Sequence, residues 1–223
     1  MSGKPVVRVV PAQTRGRYLI EDGPGERPLL VGFHGYGENA EIHLEELRRL
    51  AGGDRFRRVA VQALHRFYNT KKGEVVGSWM TKLDRDEAIA DNLAYVARVL
   101  DDVERDFGPP PGLVYVGFSQ GAAMAYRCAA RIARPCQGVV VLGGDLPPDV
   151  ADDPKASLPP VFIGRGTADT WYTAAKHDKD LEVLRARGAV VEALVFEGGH
   201  EWAPAFVEAA GEFLEKTGTA VRP

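Results

Sequence analysis

Six short apolar runs with helical patterns between them constrain the fold more than any other feature of this chain. The runs are Leu29 to Phe33, Val59 to Ala63, Leu113 to Phe118, Gly138 to Leu142, Val161 to Gly164 and Val190 to Phe196. Most are unbroken rather than alternating, which is the pattern of strands covered on both faces. Weaker runs at Val6 to Val10 and Arg17 to Ile20 predict an antiparallel edge. From Asp86 to Phe107, the residues Ile89, Leu93, Val96, Leu100, Val103 and Phe107 recur at spacings of three and four, the stripe of an amphipathic helix. Gly108 and the prolines at 109 to 111 end it. Two further helices are predicted. Ala174 to Arg187 carries Leu181 and Leu184 and stops at Gly188, and Ala203 to Lys216 carries Phe206, Ala210, Phe213 and Leu214. Strand then helix, repeated, predicts the α/β class: a mostly parallel central sheet with helices on both faces. Ligands in such sheets bind at the carboxyl ends of the strands.

The chain has 223 residues, 45% hydrophobic and 26% charged, enough for one domain spanning 1–223 with a sizeable core. No linker or internal repeat interrupts it. A formal net charge of -3 gives no reason to expect a nucleic-acid or anionic-membrane partner. The local basic cluster of Arg48, Arg49, Arg55, Arg57 and Arg58 reads as a solvated helix end and loop. The start, MSGKPVVRVV, lacks the apolar core of a signal peptide, and no run approaches a membrane span, so the expected location is the cytoplasm. Cys128 and Cys136 read as small core side chains rather than a redox pair. A homodimer is left open.

In VYVGFSQGAAMA, Val114 to Ala125, Ser119 stands where the run Leu113 to Phe118 gives way to a helical pattern from Gln120 to Ile132. A serine on so sharp a strand-to-helix turn has a strained backbone and an exposed hydroxyl. Strand and helix nearly touch there, so the positions two residues to either side can carry no bulk. Gly117 and Gly121 meet that need, and Ala122 and Ala123 keep the helix start slim. This is the G-x-S-x-G pattern of a nucleophile elbow.

A serine hydroxyl is a poor nucleophile at neutral pH and needs a base, itself oriented by an acid. For an elbow serine the chain order is serine, acid, histidine. The run Val161 to Gly164 leads into RGTADTWYT, which puts Asp169 in a loop at a strand end. Val190 to Phe196 leads into EGGHEW, which puts His200 before the last helix, with Gly198 and Gly199 letting the chain fold back toward the serine. Asp145 in LGGDLPP is a rival acid at another strand end, and Asp169 also reads as a helix cap; Asp169 leads on its place in the order. His177 lies inside a helical pattern and is expected to face solvent, His43 lies in the first helix, and His65 precedes a polar loop. The run Leu29 to Phe33 ends in HGYGEN, a loop able to aim backbone N–H groups at an oxyanion. The expected donors are the amides of Gln120 and Tyr36, with His34 holding the loop's shape. No compact set of three ligands accompanies His34 and His43, so no metal is expected. GYGEN also lacks the lysine and spacing of a phosphate-binding loop. The chemistry calls for no organic cofactor.

With FHGYGEN, GFSQGAAMA, GTADTWY and GGHEW in this order, the chain resembles the α/β-hydrolase superfamily. Within it, the chain is similar to the bacterial phospholipase/carboxylesterase family, which includes the acyl-protein thioesterases, from about Leu29 to Phe213. The glutamine after the serine narrows the resemblance to that family. The resemblance implies an α/β-hydrolase fold with Ser119 as nucleophile, Asp169 as acid, His200 as base, and Tyr36 and Gln120 as oxyanion amides. Three features depart from the family pattern: Tyr36 stands where leucine is common, His65 to Thr81 is a local elaboration, and DTWYT is unusually aromatic. These bear on substrate. The stretch Gly143 to Pro160, where many relatives insert a lid, is short, so no large lid domain is expected. An open site taking small-molecule esters of short or medium acyl chains is expected instead. Phe67, Tyr68, Trp79, Met80, Trp171 and Trp202 are candidates to line it, each reading equally as ordinary packing, with Trp171 foremost. Other readings are an acyl-protein thioesterase or lysophospholipase, a dienelactone or lactone hydrolase (which usually carries cysteine at the elbow), and a ligand-binding homologue without activity.

Overall fold

A computed structural model describes residues 4–23, 25–50 and 52–218. Among the described residues, nine strands run in chain order: β1 (Arg17–Glu21), β2 (Leu29–Phe33), β3 (Arg57–Gln62), β4 (His65–Asn69), β5 (Glu74–Ser78), β6 (Leu113–Phe118), β7 (Gly138–Leu142), β8 (Val161–Gly166) and β9 (Val191–Phe196). Between them lie α1 (Ala40–Arg49), α2 (Arg85–Phe107), α3 (Gln120–Arg131), α4 (Pro148–Ala151), α5 (Ala174–Ala186) and α6 (Pro204–Gly218). Seven strands form one sheet in the order β1-β3-β2-β6-β7-β8-β9. β1 pairs antiparallel with β3, and every other neighbouring pair in this sheet is parallel.

The unbroken apolar runs are explained by two apolar layers, one on each face of the sheet. Side chains alternate across a strand, so Leu29, Val31 and Phe33 of β2 enter one layer and Leu30 the other. The first layer receives Val96, Leu100 and Val103 of α2, Met124 of α3 and Leu184 of α5. The second receives Leu44 and Leu47 of α1 and Phe206, Ala210 and Phe213 of α6. β2, β6 and β7 are buried at every position. α1 starts where the Asn39 side chain accepts the Ile42 N–H at 2.9 Å. α2 stops at Gly108, whose φ of 81° a side chain would disfavour, just before the three prolines.

Some expectations change. Val6 to Val10 forms no strand; the segment is exposed and pairs with nothing in the sheet. His65, read as preceding a loop, begins a two-stranded hairpin in which β4 and β5 pair antiparallel. His177 is buried against Tyr172 rather than facing solvent, because α5 turns that side onto the Asp169 loop's own aromatic residue. The arginine cluster, read as a solvated helix end and loop, is partly built into β3: Arg57 is buried and pairs with Asp22, and Arg58 pairs with Glu21, while Arg48 and Arg49 at the end of α1 pair with Glu21 and Glu46. Cys128 is buried, Cys136 is half-buried, and both are free thiols. The Gly143 to Pro160 stretch contains only the single turn of α4. Among the described residues, no helix is long and apolar enough to cross a membrane.

Candidate active site

The carboxyl ends of β2, β6, β8 and β9 face one rim of the sheet, and each delivers a loop to it. Ser119 follows β6 directly, at φ 53° and ψ -117°. Only one other non-glycine among the described residues has a positive φ, Asp84. The strain is held by crowding. A Cβ on Gly121 would lie 2.0 Å from the Phe33 carbonyl oxygen, and one on Gly117 would lie 2.4 Å from the Gly121 carbonyl oxygen. Strand and helix backbones therefore touch on both sides of the serine, and the Ser119 N–H is fixed to the Leu142 carbonyl at 2.8 Å.

His200 reaches this serine from the loop after β9. Its Nε2 stands 2.8 Å from Ser119 Oγ and its Nδ1 stands 2.7 Å from Asp169 Oδ2. The imidazole lies over the Phe118 ring, with centroids 4.9 Å apart. It passes so close to Gly143 that a Cβ there would meet the ring at 3.0 Å. Asp169 is buried, and its second oxygen, Oδ1, accepts the N–H groups of Trp171 and Tyr172 at 2.8 and 2.9 Å. Burial pushes its pKa up, but the hydrogen bonds from His200 and the two amides outweigh this and hold the carboxyl below its ordinary value. The rival acid, Asp145, is exposed and pairs with Lys176 instead.

The loop after β2 faces the same serine. Gly35 donates its N–H to Glu38 Oε2 at 2.7 Å, Gly37 to the Gly77 carbonyl at 2.9 Å, and Glu38 to the Gly35 carbonyl at 3.3 Å. Among the described residues, the Tyr36 N–H is the one amide of residues 35 to 38 left without a protein acceptor. The Gln120 N–H, first in α3, has no intrahelical acceptor. His34 is buried beneath the loop. Its Nδ1 donates to the Gly35 carbonyl at 2.7 Å, and its Nε2 accepts the Ala63 N–H at 3.1 Å, which fixes a neutral tautomer. Burial lowers its pKa to about 4.

Of the six residues expected to line the site, Met80 and Trp171 border an open cleft of about 880 Å³ that contains Ser119 and Gln120. Trp171 is largely exposed there. Trp79 and Trp202 belong to the core, a correction to the expectation. Trp79 is fully buried, stacks edge-on against Phe33 and donates its indole N–H to the His34 carbonyl at 2.8 Å. Trp202 packs among Phe118, His43 and Phe206. Phe67 and Tyr68 sit outside the cleft lining, on the β4–β5 hairpin, with the Phe67 ring against Tyr36.

Sequence reasoning missed the role of the Gln120 side chain and passed over Glu38. The Gln120 side chain accepts the Trp79 N–H at 2.8 Å and donates to the Met80 carbonyl at 2.9 Å, tying the nucleophile turn to the segment after β5. Glu38 folds its carboxylate back into its own loop, where burial pushes its pKa up. A half-buried carboxylate in a loop gives no periodic signal in sequence, so only its closeness to HGYG could have marked it.

Comparison with known proteins bears on the family and the fold. The sequence model for phospholipase/carboxylesterase matches residues 18–218. The fold is similar to that of esterase PE8, at 23% identity and TM-score 0.71, covering 91% of this chain and 98% of that one. It is also similar to the Bacillus cereus carboxylesterase, at 19% identity and TM-score 0.73, covering 91% and 94%. A third likeness is to acyl-protein thioesterase 2 of Zea mays, at 20% identity and TM-score 0.69, covering 91% and 99%. No curated protein matches the sequence. At such identities the structural likenesses speak for the fold, and the family rests on the sequence match along nearly the whole chain. On that match the chain belongs to the phospholipase/carboxylesterase family, α/β-hydrolases that use a serine to cleave ester bonds.

Proposed function

We propose that the chain is a carboxylesterase whose single domain hydrolyses short- to medium-chain acyl esters through an acyl-enzyme, with Ser119, Asp169 and His200 as its triad. The observation that carries this reading is the position of His200, within hydrogen-bond reach of both Ser119 Oγ and Asp169 Oδ2. His200 Nε2 takes the hydroxyl proton as Oγ attacks the ester carbonyl. Asp169 accepts the Nδ1–H, selects the tautomer that leaves Nε2 free, and stabilises the imidazolium. Its depressed pKa suits that work, since a carboxylate must stay charged while the ring beside it is positive. The developing oxyanion is received by the amides of Tyr36 and Gln120. His200 then returns the proton to the leaving alcohol, and water repeats the sequence to free the acid.

The short 143–160 stretch and the open cleft support small or flexible acyl groups over long buried ones. Replacing the nucleophile tests the reading. Ser119→Ala should lose about 10⁴-fold or more of kcat on p-nitrophenyl acetate. Hydrolysis at the parent rate would end it. An acyl-length series with matched thioester and lactone substrates should favour butyrate and hexanoate esters over palmitate.

A further inference from the structure

We infer that the ester cleaved at Ser119 carries an anionic group, a carboxylate or a phosphate, a few bonds from the scissile carbonyl, and that Lys82, Arg85 and Lys179 receive it. This rests on the reading of Ser119 as nucleophile and names the substrate class for that site.

The charge of the cleft is the first observation. The protein as a whole is acidic, with a formal net charge of -3. Yet the cleft that holds Ser119 is lined by four cationic side chains, Lys82, Arg85, Lys176 and Lys179, against two carboxylates, Asp145 and Asp180. Both carboxylates are already engaged. Asp145 pairs with Lys176 at 3.2 Å. Asp180 is buried and turned into the protein, where it accepts the Leu146 N–H at 2.9 Å and the Tyr172 hydroxyl at 2.8 Å. Lys82 and Arg85 make no ion pair or hydrogen bond among the described residues, and both are exposed. Lys179 is exposed and makes no ion pair or hydrogen bond among the described residues, with the engaged Asp180 as an electrostatic neighbour. The other acids near Arg85, namely Asp84, Asp86 and Glu87, are exposed and lie outside the lining.

Backbone dipoles supply the second observation. Residues from the first turns of three long helices border the same cleft: Arg85 of α2, Gln120 of α3 and Lys176 of α5. None of the three N-cap residues, Asp84, Ser119 and Thr173, caps its helix with a side-chain hydrogen bond. Helix N-termini carry partial positive charge and free N–H groups. Unpaired cations and uncapped helix starts around one serine focus a positive potential on it. An uncharged acyl chain has no use for such a lining, whereas Met80, Leu146 and Trp171 provide apolar surface for the carbon stem between ester and anion.

Two matched pairs of substrates test the inference in the parent protein. p-Nitrophenyl butyrate against p-nitrophenyl hemiglutarate places the anion in the acyl part. Monobutyrylglycerol against its phosphate ester places it in the alcohol part. In at least one pair, kcat/KM for the anionic member should be about tenfold higher at low ionic strength. The advantage should shrink in about 0.5 M salt. A Lys82→Ala, Arg85→Ala, Lys179→Ala variant should lose the anionic-to-neutral ratio mainly through KM, and glutamate at the same positions should invert it. No preference in either pair, or a preference that the triple variant keeps, would overturn the inference. If neutral butyrate is hydrolysed without an anionic advantage, the inference alone fails. If Ser119→Ala still hydrolyses the neutral ester, the underlying reading fails instead.

Discussion

Ser119 holds its unusual backbone because its neighbours leave it nowhere else to go. Adding one methyl group at Gly121 would drive a Cβ to 2.0 Å from the Phe33 carbonyl oxygen, with backbone on both sides and no flexible side chain to give way. Gly121→Ala should therefore cost about 3 kcal/mol or more of stability, read as a lower urea midpoint; a parent-like midpoint would mean the contact relaxes freely. Asp169→Asn removes the charge proposed to steady the imidazolium and should lower kcat by about 10⁴-fold with the fold intact. His34 bears on pH. Its pKa is about 4 when folded and near 6.5 when unfolded, so the unfolded chain binds the proton more readily. Its contribution to stability is complete above about pH 6.5 and is lost as the pH falls toward 4, up to about 3 kcal/mol. His43, lowered to about 3 by burial, adds in the same direction. Urea midpoints should fall across that window, and less steeply in His34→Asn; a flat profile would contradict the assignment. The residues of the site were legible because chemistry limits them. Serine, acid and histidine arrive in one order, each after an apolar run. Trp79 and Trp202 were not, because an aromatic residue near a motif has the same sequence signature whether it faces a cleft or the core.

Among the elements, the β4–β5 hairpin does the least expected work. Gly77 of β5 exchanges both backbone hydrogen bonds with the loop after β2, accepting from Gly37 and donating to Glu38. Just beyond β5, Trp79 and Met80 are held by the Gln120 side chain. The two proposed oxyanion amides, Tyr36 and Gln120, are thus linked through one hairpin. Gln120→Ala keeps the backbone amide but releases that link. It should lower kcat on p-nitrophenyl acetate by about ten- to a hundredfold with a smaller change in KM. Unchanged kcat would show that the hairpin does not position the loop. Sequence patterning located the covered strands of the parallel sheet because burial on both faces demands unbroken apolar runs. It missed the hairpin because β4 is mostly exposed and reads HRFYN, a polar and aromatic mixture with no such demand. It overread Val6 to Val10 because apolar residues alone do not supply a pairing partner.

Across the whole molecule, the two apolar layers fix the sheet, and the loops at one rim bring Ser119, Asp169 and His200 together. Ionic ties join the nucleophile helix to α4 and the residues just after it, and one of them is buried. Arg127 of α3 is fully buried and meets Asp149 of α4 at 2.7 Å, and it also lies 3.4 Å from Met80 Sδ. Removing one partner strands a buried cation, so Asp149→Ala should cost about 2 kcal/mol and loosen the wall that Met80 and Leu146 form, raising KM. An unaltered thermal midpoint and KM would show the pair to be incidental. The α/β architecture was legible at this scale because strand-helix alternation leaves few topologies. The cationic lining was not, since Lys82, Arg85, Lys176 and Lys179 come from separate segments that only the fold brings together. The central claim is that Ser119 is the group activated by His200 and Asp169. Mass-spectrometric mapping after reaction with a fluorophosphonate tests it most directly. A single adduct on Ser119, formed rapidly in the parent and lost in His200→Ala, is the expected result. No adduct, or one on another residue, would contradict the account.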